Sequence, residues 1–308
     1  MTIKSLARLV RLPNLLAMVA FQVLLQYWLI VPHLRQMGMP EGLSPLLFTL
    51  LVVATVCIAA GGNAINDYFD VTADRVNRPG RVVVGTDICR RQALLIHVIL
   101  TLIGVFAGGY VSFVLRRETF LLLFVGTPML LWFYSTHFKR QFLVGNIVVA
   151  LLVALTGYII VSADFAAIDR IPDGPDTSSE PLSAIWYMVC AYCIFAFLTN
   201  LGREIIKDME DADGDRAQGC HTLVIDLGIP YSKAVVILIE TFTAAMMCVA
   251  AWKLSQPILA AYICLALIIP TIVLIAMVAR GSSNQDFHKA SLLSKIIMML
   301  GVASIILL

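Results

Sequence analysis

Charge is scarce in this chain. Lys, Arg, Asp and Glu make up only 14% of its 308 residues, where a soluble domain carries roughly a quarter. Histidine is thinner still: five residues, scattered, with no metal-ligand spacing, so a histidine-built metal centre is excluded. The seven cysteines lie mostly inside apolar runs, where they act as small hydrophobes. Cys190-x-x-Cys193 sits in mid-run without a thioredoxin-like context, and no structural disulfide is implied. The net charge is only +2, with the bases gathered on one side of the apolar runs, which excludes a nucleic-acid surface.

What is there instead is apolar. Hydrophobic residues make up 60% of the chain and the mean hydropathy is +0.89. Runs of roughly 20 apolar residues mark membrane-spanning helices. Nine are read here, at about 12–32, 43–65, 92–114, 119–137, 142–163, 183–202, 232–252, 257–279 and 289–308. The first is too long for a signal-peptide core and leads into further spans, so it reads as a retained helix. With the N-terminus in the cytoplasm, sixteen Lys and Arg fall on the cytoplasmic side and five outside, with Lys295 inside the last span. That asymmetry predicts a multi-pass protein of the cytoplasmic membrane (the inner membrane in a bacterium), N-terminus inside. The expected fold is all-α, one domain over 1–308: nine helices around a central cavity. Two charged cytoplasmic loops with short helices, 66–91 and 203–231, cap it, and an acidic, proline-rich external loop spans 164–182 without a catalytic role.

The few acids are concentrated. One cluster reads Asn66-Asp67-Tyr-Phe-Asp70-Val-Thr-Ala-Asp74; the other runs from Arg203-Glu204 through Lys207-Asp208-Met-Glu210-Asp211 to Asp215. Each follows an apolar run, about four spans apart, which predicts two similar helical halves facing each other. Asn66, Asp70 and Asp74 recur every fourth residue, and Glu204, Asp208, Asp211 and Asp215 keep helical spacing too, so each set shares one helix face. Carboxylates this close need a cation. If the faces met, about six oxygen ligands would suit magnesium, which takes one or two carboxylates with phosphate and water. Arg75, Arg78 and Arg81 follow the first cluster, Arg203 and Lys207 lie in the second, and Lys139 and Arg140 end the fourth span. Bases beside carboxylates fit a metal-bound polyanion better than a bare metal. An EF-hand is excluded, because neither stretch has its glycine and terminal glutamate.

Asn66-x-x-x-Asp70-x-x-x-Asp74 with Asn77-Arg78-Pro79, together with Asp211-x-x-x-Asp215, resembles the UbiA superfamily of intramembrane prenyltransferases. The resemblance covers nearly the whole chain and includes Tyr134-Ser135 with Lys139-Arg140 at the end of the fourth span. The lead-in Arg203-Glu204-x-x-Lys207-Asp208 resembles the branch that makes digeranylgeranylglyceryl phosphate. The resemblance implies two Mg²⁺ held by Asn66, Asp70, Asp74, Asp211 and Asp215, with Asp67 and Asp208 behind them. It implies a diphosphate gripped by Arg78, Lys139, Arg140, Arg203, Lys207 and Tyr134. A prenyl group, geranylgeranyl in that branch, would pass as an allylic cation to a lipid acceptor, geranylgeranylglyceryl phosphate, releasing pyrophosphate. The alternative acceptor is aromatic, 4-hydroxybenzoate or a naphthoate, as in quinone biosynthesis.

Three further readings come from the spans. Arg11, Asn14, Gln22 and Gln26 form a rough stripe on the first helix, read either as cavity lining near the acceptor or as helix-to-helix hydrogen bonding. Tyr134 either meets the diphosphate or cation or anchors at the interface. Gly104-x-x-x-Gly108 permits close helix packing; the oligomeric state stays open, and His137 takes no role. A cation transporter is the class furthest from this pattern, because its sites lie near the midplane on broken helices. A lipid-binding regulator would be favoured by degraded aspartate motifs, and both are intact.

Overall fold

A computed structural model describes residues 2–77, 80, 82–172, 179–217 and 219–308, with the side chains at 73, 74, 76, 77 and 181 outside the description. The described chain is helical; its one β feature is an isolated bridge, Val84–Ile88. The helices are α1 (Ile3–Leu9), α2 (Leu12–Leu24), α3 (Val31–Gln36), α4 (Pro45–Asn77), α5 (Arg90–Leu115), α6 (Glu118–Thr136), α7 (Val144–Ile168), α8 (Glu180–Ala217), α9 (Leu223–Leu227), α10 (Ile229–Lys253), α11 (Pro257–Tyr262), α12 (Ile269–Arg280) and α13 (Asn284–Ala303). Nine stretches among them are long and apolar enough to cross a membrane, and all nine expected runs are found. Large side chains such as Phe113 (81%), Leu238 (71%) and Trp252 (85%) stand exposed on them. Apolar exposure of that kind is stable only against lipid.

Two spans contain the same device. A π-helical turn, Leu25–Ile30, joins α2 to α3, and another, Ile263–Ile268, joins α11 to α12. Pro32 and Pro270 follow two residues later. Proline has no N–H for the helical ladder, and a wider turn before it absorbs the mismatch.

The chain forms two compact units. Unit 1 comprises residues 1–138 and 156–189; unit 2 comprises 139–155 and 190–308. In unit 1, α4 packs on α5 and α6. Glycines allow it: a Cβ at Gly104 would lie 2.9 Å from the Ala54 carbonyl oxygen, and one at Gly108 would lie 2.2 Å from the Phe124 ring. The Gly104/Gly108 motif therefore packs α5 inside its own bundle. In unit 2, Ile205, Ile206 and Met209 of α8 pack with Val236, Leu274, Val278 and Phe287 of α10, α12 and α13.

Three expected boundaries move. The acidic stretches expected in cap loops are continuous helix: α4 runs on to Asn77 and α8 to Ala217. Neither stretch contains proline, and helical hydrogen bonding does not stop where hydropathy does. Beyond α4, Val83, Val84 and Ile88 bury themselves against Leu9, Ala64 and Ala93, so this segment is packed by its own apolar residues. The third change is Asp164, expected in the external loop. It lies in α7, fully buried; its Oδ1 accepts from the Leu43 backbone N–H at 2.9 Å and from Gln26 Nε2 at 3.2 Å.

Candidate active site

The first cluster is built in unit 1. Asn66 is buried on α4 and donates from Nδ2 to Asp70 Oδ2 at 2.7 Å. Its Oδ1 is buried with no hydrogen-bond partner. An acceptor oxygen left over beside a carboxylate is the donor chemistry that a hard cation takes, so these residues fit magnesium. Asp74 lies one turn further on the helix; its side chain, like Arg78, lies outside the described residues.

Arg11 belongs to this cluster, which the sequence did not indicate. It caps α2 in the left-handed region at φ 55, a conformation costly for a residue with a Cβ. Its Nη2 donates to Asp67 Oδ1 at 3.0 Å. Burial acts to lower the Arg11 pKa, but Asp67, aided by the fields of Tyr134 and Asp70, outweighs it and holds the guanidinium above its ordinary value. The chain just before Arg11 is pinned as well, since Asn63 Nδ2 donates to the Val10 carbonyl at 2.9 Å. Tyr134 is thus brought near Arg11 by fold, not by sequence distance.

Aromatic rings continue from the cluster. The Arg90 guanidinium lies 5.2 Å from the Tyr68 ring centroid; Tyr68 meets Phe69 edge-on, and Phe69 meets Trp132 at 5.6 Å. Gln22, read either as cavity lining near the acceptor or as a helix-to-helix bond, bridges helices. Its Nε2 donates to the Thr156 carbonyl at 3.0 Å and its Oε1 accepts from Thr55 at 3.1 Å. Both ends of the amide are used, which is the hydrogen-bonding alternative for that stripe. Asn14 is exposed at the start of α2.

The second cluster is built in unit 2 and is more self-contained. Glu204 accepts from Arg203 Nη1 at 3.0 Å and from Lys207 Nζ at 2.8 Å, so one carboxylate serves both bases expected to bind diphosphate. Asp208 accepts from Asn146 Nδ2 at 2.8 Å and lies in the fields of Glu204, Asp215 and Lys207. Asn146 escaped the sequence reading; its signal was a lone amide in an otherwise apolar run. Asp211 and Asp215 are half-buried, one turn apart on α8. Glu210 turns elsewhere and accepts from His288 at 3.0 Å. Lys139 and Arg140 form a 3₁₀ turn, held where the Arg140 carbonyl accepts from the His221 N–H at 2.8 Å.

Among the described residues no three His, Cys, Asp or Glu side chains form a ready-made metal cage. That is compatible with magnesium, which usually keeps waters and takes substrate phosphate as ligand.

Apolar spans carrying carboxylates, amides and bases define an integral, multi-pass membrane protein with two polar helices. The family model described as the UbiA prenyltransferase family matches residues 36–298, and the chain belongs to that family; it is a prenyltransferase. It is 32% identical over 254 residues to a digeranylgeranylglyceryl phosphate synthase of Methanopyrus kandleri, covering 82% of this chain and 83% of the relative. It is 30% identical to the synthase of the same name from Korarchaeum cryptofilum, covering 85% of each. Among solved structures, a UbiA homolog from Archaeoglobus fulgidus bound to GPP and Mg²⁺ superposes with TM-score 0.62 at 16% identity, covering 99% of this chain and 100% of that one. A digeranylgeranylglyceryl phosphate synthase structure gives TM-score 0.63 at 20% identity, covering 99% of both chains.

Proposed function

We propose that this chain transfers a geranylgeranyl group from geranylgeranyl diphosphate to the free hydroxyl of geranylgeranylglyceryl phosphate. The curated relatives at 30–32% identity carry that synthase's name, and the Archaeoglobus neighbour is bound to a prenyl diphosphate with Mg²⁺. The observation that carries the reading is the Asn66–Asp70 pair, a carboxylate with an unspent buried acceptor beside it, where α4 leaves its apolar run.

Asn66, Asp70, Asp74, Asp211 and Asp215 would hold two magnesium ions. When bound, magnesium supplies positive charge to the diphosphate oxygens. Asp67 and Asp208 act behind these residues, Asp67 by fixing Arg11 and Asp208 by its bond from Asn146. Arg78, Lys139, Arg140, Arg203, Lys207 and Tyr134 serve the diphosphate and hold charge where pyrophosphate departs. The C1–O bond breaks with its electron pair going to pyrophosphate. The acceptor hydroxyl oxygen bonds to C1 and releases its proton. Apolar helix walls keep out water, which would otherwise capture the allylic cation. The mouth of the site and the N-terminus would face the cytoplasm, a reading that the distribution of bases supports.

The test is prenyl transfer by the purified chain with Mg²⁺, labelled geranylgeranyl diphosphate and either geranylgeranylglyceryl phosphate or 4-hydroxybenzoate. Transfer to the glyceryl phosphate is expected. Transfer to the aromatic alone would replace the acceptor, and transfer to neither would overturn the reading.

A further inference from the structure

Unit 1 buries an acid that the proposed chemistry does not use. Asp164 stands one turn before the end of α7 and is fully buried. Gln26, 1% exposed, meets it from the π-helical turn of the first span. Gln26 lies fifteen residues beyond Arg11, about 22 Å along the span, so the pair is remote from the Asn66–Asp70 cluster.

Both side chains are half spent. Gln26 Nε2 and the Leu43 N–H donate to Asp164 Oδ1 at 3.2 and 2.9 Å. Asp164 Oδ2 and Gln26 Oε1 are buried and have no hydrogen-bond partner. The bond between the two side chains brings these leftover oxygens into one neighbourhood. Neither donor to Asp164 carries a charge. Arg35, the base of this span end, is engaged elsewhere: its Nε donates to Glu41 at 2.9 Å. Water is kept out on every printed side. A Cβ at Gly42 would lie 2.7 Å from Asp164 Oδ1, so main chain seats directly on the carboxylate. Ile160 and Ile168, one turn to either side of Asp164, are 0% exposed, as are Leu25, Leu29 and Ile30 beside Gln26. A carboxylate with neutral donors alone, in so apolar a place, needs a positive charge.

The same turn offers a further oxygen. Pro32 has no N–H to give back to the helical ladder, so a main-chain carbonyl of the π-helical turn lacks its helical donor. A proton would serve the two side-chain oxygens; a cation serves all three. Carboxylate, amide and main-chain oxygens are the ligands of a hard cation, and one carboxylate balances one positive charge.

We infer that Asp164 Oδ2 and Gln26 Oε1 bind a monovalent hard cation, sodium or potassium, which ties α7, the first span and the Gly42–Leu43 segment together. The site is separate from the metal-bound diphosphate and acts on the stability of unit 1.

The full chain in nanodiscs of neutral lipid, without Mg²⁺, is unfolded thermally in sodium, potassium or N-methylglucamine chloride at one ionic strength. Sodium or potassium should raise the midpoint saturably, by at least about 2 °C over N-methylglucamine. Asp164→Asn keeps an oxygen for Leu43 and Gln26 and adds an N–H for Gln26 Oε1, so it is expected to fold. It should lose the cation-dependent rise. Asp70→Ala should keep that rise, because Asp70 belongs to the other site. Equal midpoints in the three salts would overturn the inference and leave the pair to a shared proton. A rise that survives in Asp164→Asn, or that vanishes in Asp70→Ala, would overturn it too. Should Asp164→Asn fail to fold, retention of radiolabelled sodium or rubidium decides: retention by wild type that Gln26→Met lowers sustains the site, and no retention by wild type refutes it.

Discussion

The two units use the same parts and balance them differently. Each has a π-helical turn ahead of a proline, a carboxylate-bearing helix and one buried acid away from the carboxylate cluster. In unit 1 the cluster draws its cation from far along the chain, since Arg11 lies 56 residues from Asp67. In unit 2 Glu204 is neutralised by Arg203 and Lys207, its own neighbours on α8. The buried acids differ in the same sense. Asp164 receives the Leu43 N–H and Gln26 from other segments, whereas Glu240 of α10 receives no hydrogen bond at either oxygen. The base that meets Asp67 in unit 1 is brought by tertiary structure; the bases that meet Glu204 in unit 2 stand on its own helix.

The largest effect tests what the units share. If both clusters hold the metal-bound diphosphate, Asp70→Ala and Asp211→Ala should each lower prenyl transfer by at least about 10²- to 10³-fold, the usual scale for losing a group that stabilises developing charge. Steady-state transfer at saturating Mg²⁺ measures this. Full activity in either variant would remove that cluster from the reaction and leave the units functionally unlike.

The next effect falls on stability and on unit 1 alone. Asp164→Ala would leave the Leu43 N–H and Gln26 Nε2 buried without their acceptor, at about 1–3 kcal/mol for each donor stranded. Thermal unfolding in detergent should show it. Gly42 adds to the constraint, because a Cβ there would lie 2.5 Å from the Asp164 carbonyl oxygen. An unchanged midpoint would mean that this end of unit 1 relaxes freely.

These contrasts mark what was legible in the sequence. The nine spans were, because apolar runs of that length seldom occur outside a membrane. The ends of α4 and α8 were not: hydropathy follows lipid contact, while the helix continues through Asn66–Asn77 and Arg203–Ala217 on backbone hydrogen bonds. The members of each cluster were visible as helical spacing, and Asn66–Asp70 is indeed an i, i+4 contact. Arg11–Asp67 and Asn146–Asp208 were not, because 56 and 62 residues separate the partners and only the fold joins them. Asp164 was misread because an acid near a proline-rich loop looks solvated until its acceptors find donors. Gln22 was left between two readings for want of Thr55 and Thr156, which nothing in its own helix announces.

A double-mutant cycle sharpens the long-range pairing. Arg11→Met should lower activity about tenfold, the scale of one charge-assisted hydrogen bond. Asp67→Asn should lower it comparably, and the double variant little more than either, since each single change already breaks the pair. Additive losses would show that Arg11 and Asp67 serve the site separately.

The smallest effect has the opposite sign. Glu240 is 1% exposed, and its two oxygens have no hydrogen-bond partner. A buried polar group without partners costs free energy, so an apolar side chain of similar length removes that cost without stranding a donor. Glu240→Met should therefore leave the stability unchanged or raise it by up to about 1 kcal/mol, read as an unchanged or higher unfolding midpoint. Asp164→Met should lower it, because Asp164 has partners to strand. The same replacement of a buried acid thus moves the two units in opposite directions. If Glu240→Met instead lowers the midpoint as Asp164→Met does, the Glu240 carboxyl has a partner in the membrane, and the contrast between a tertiary and a local balance of charge fails at that position.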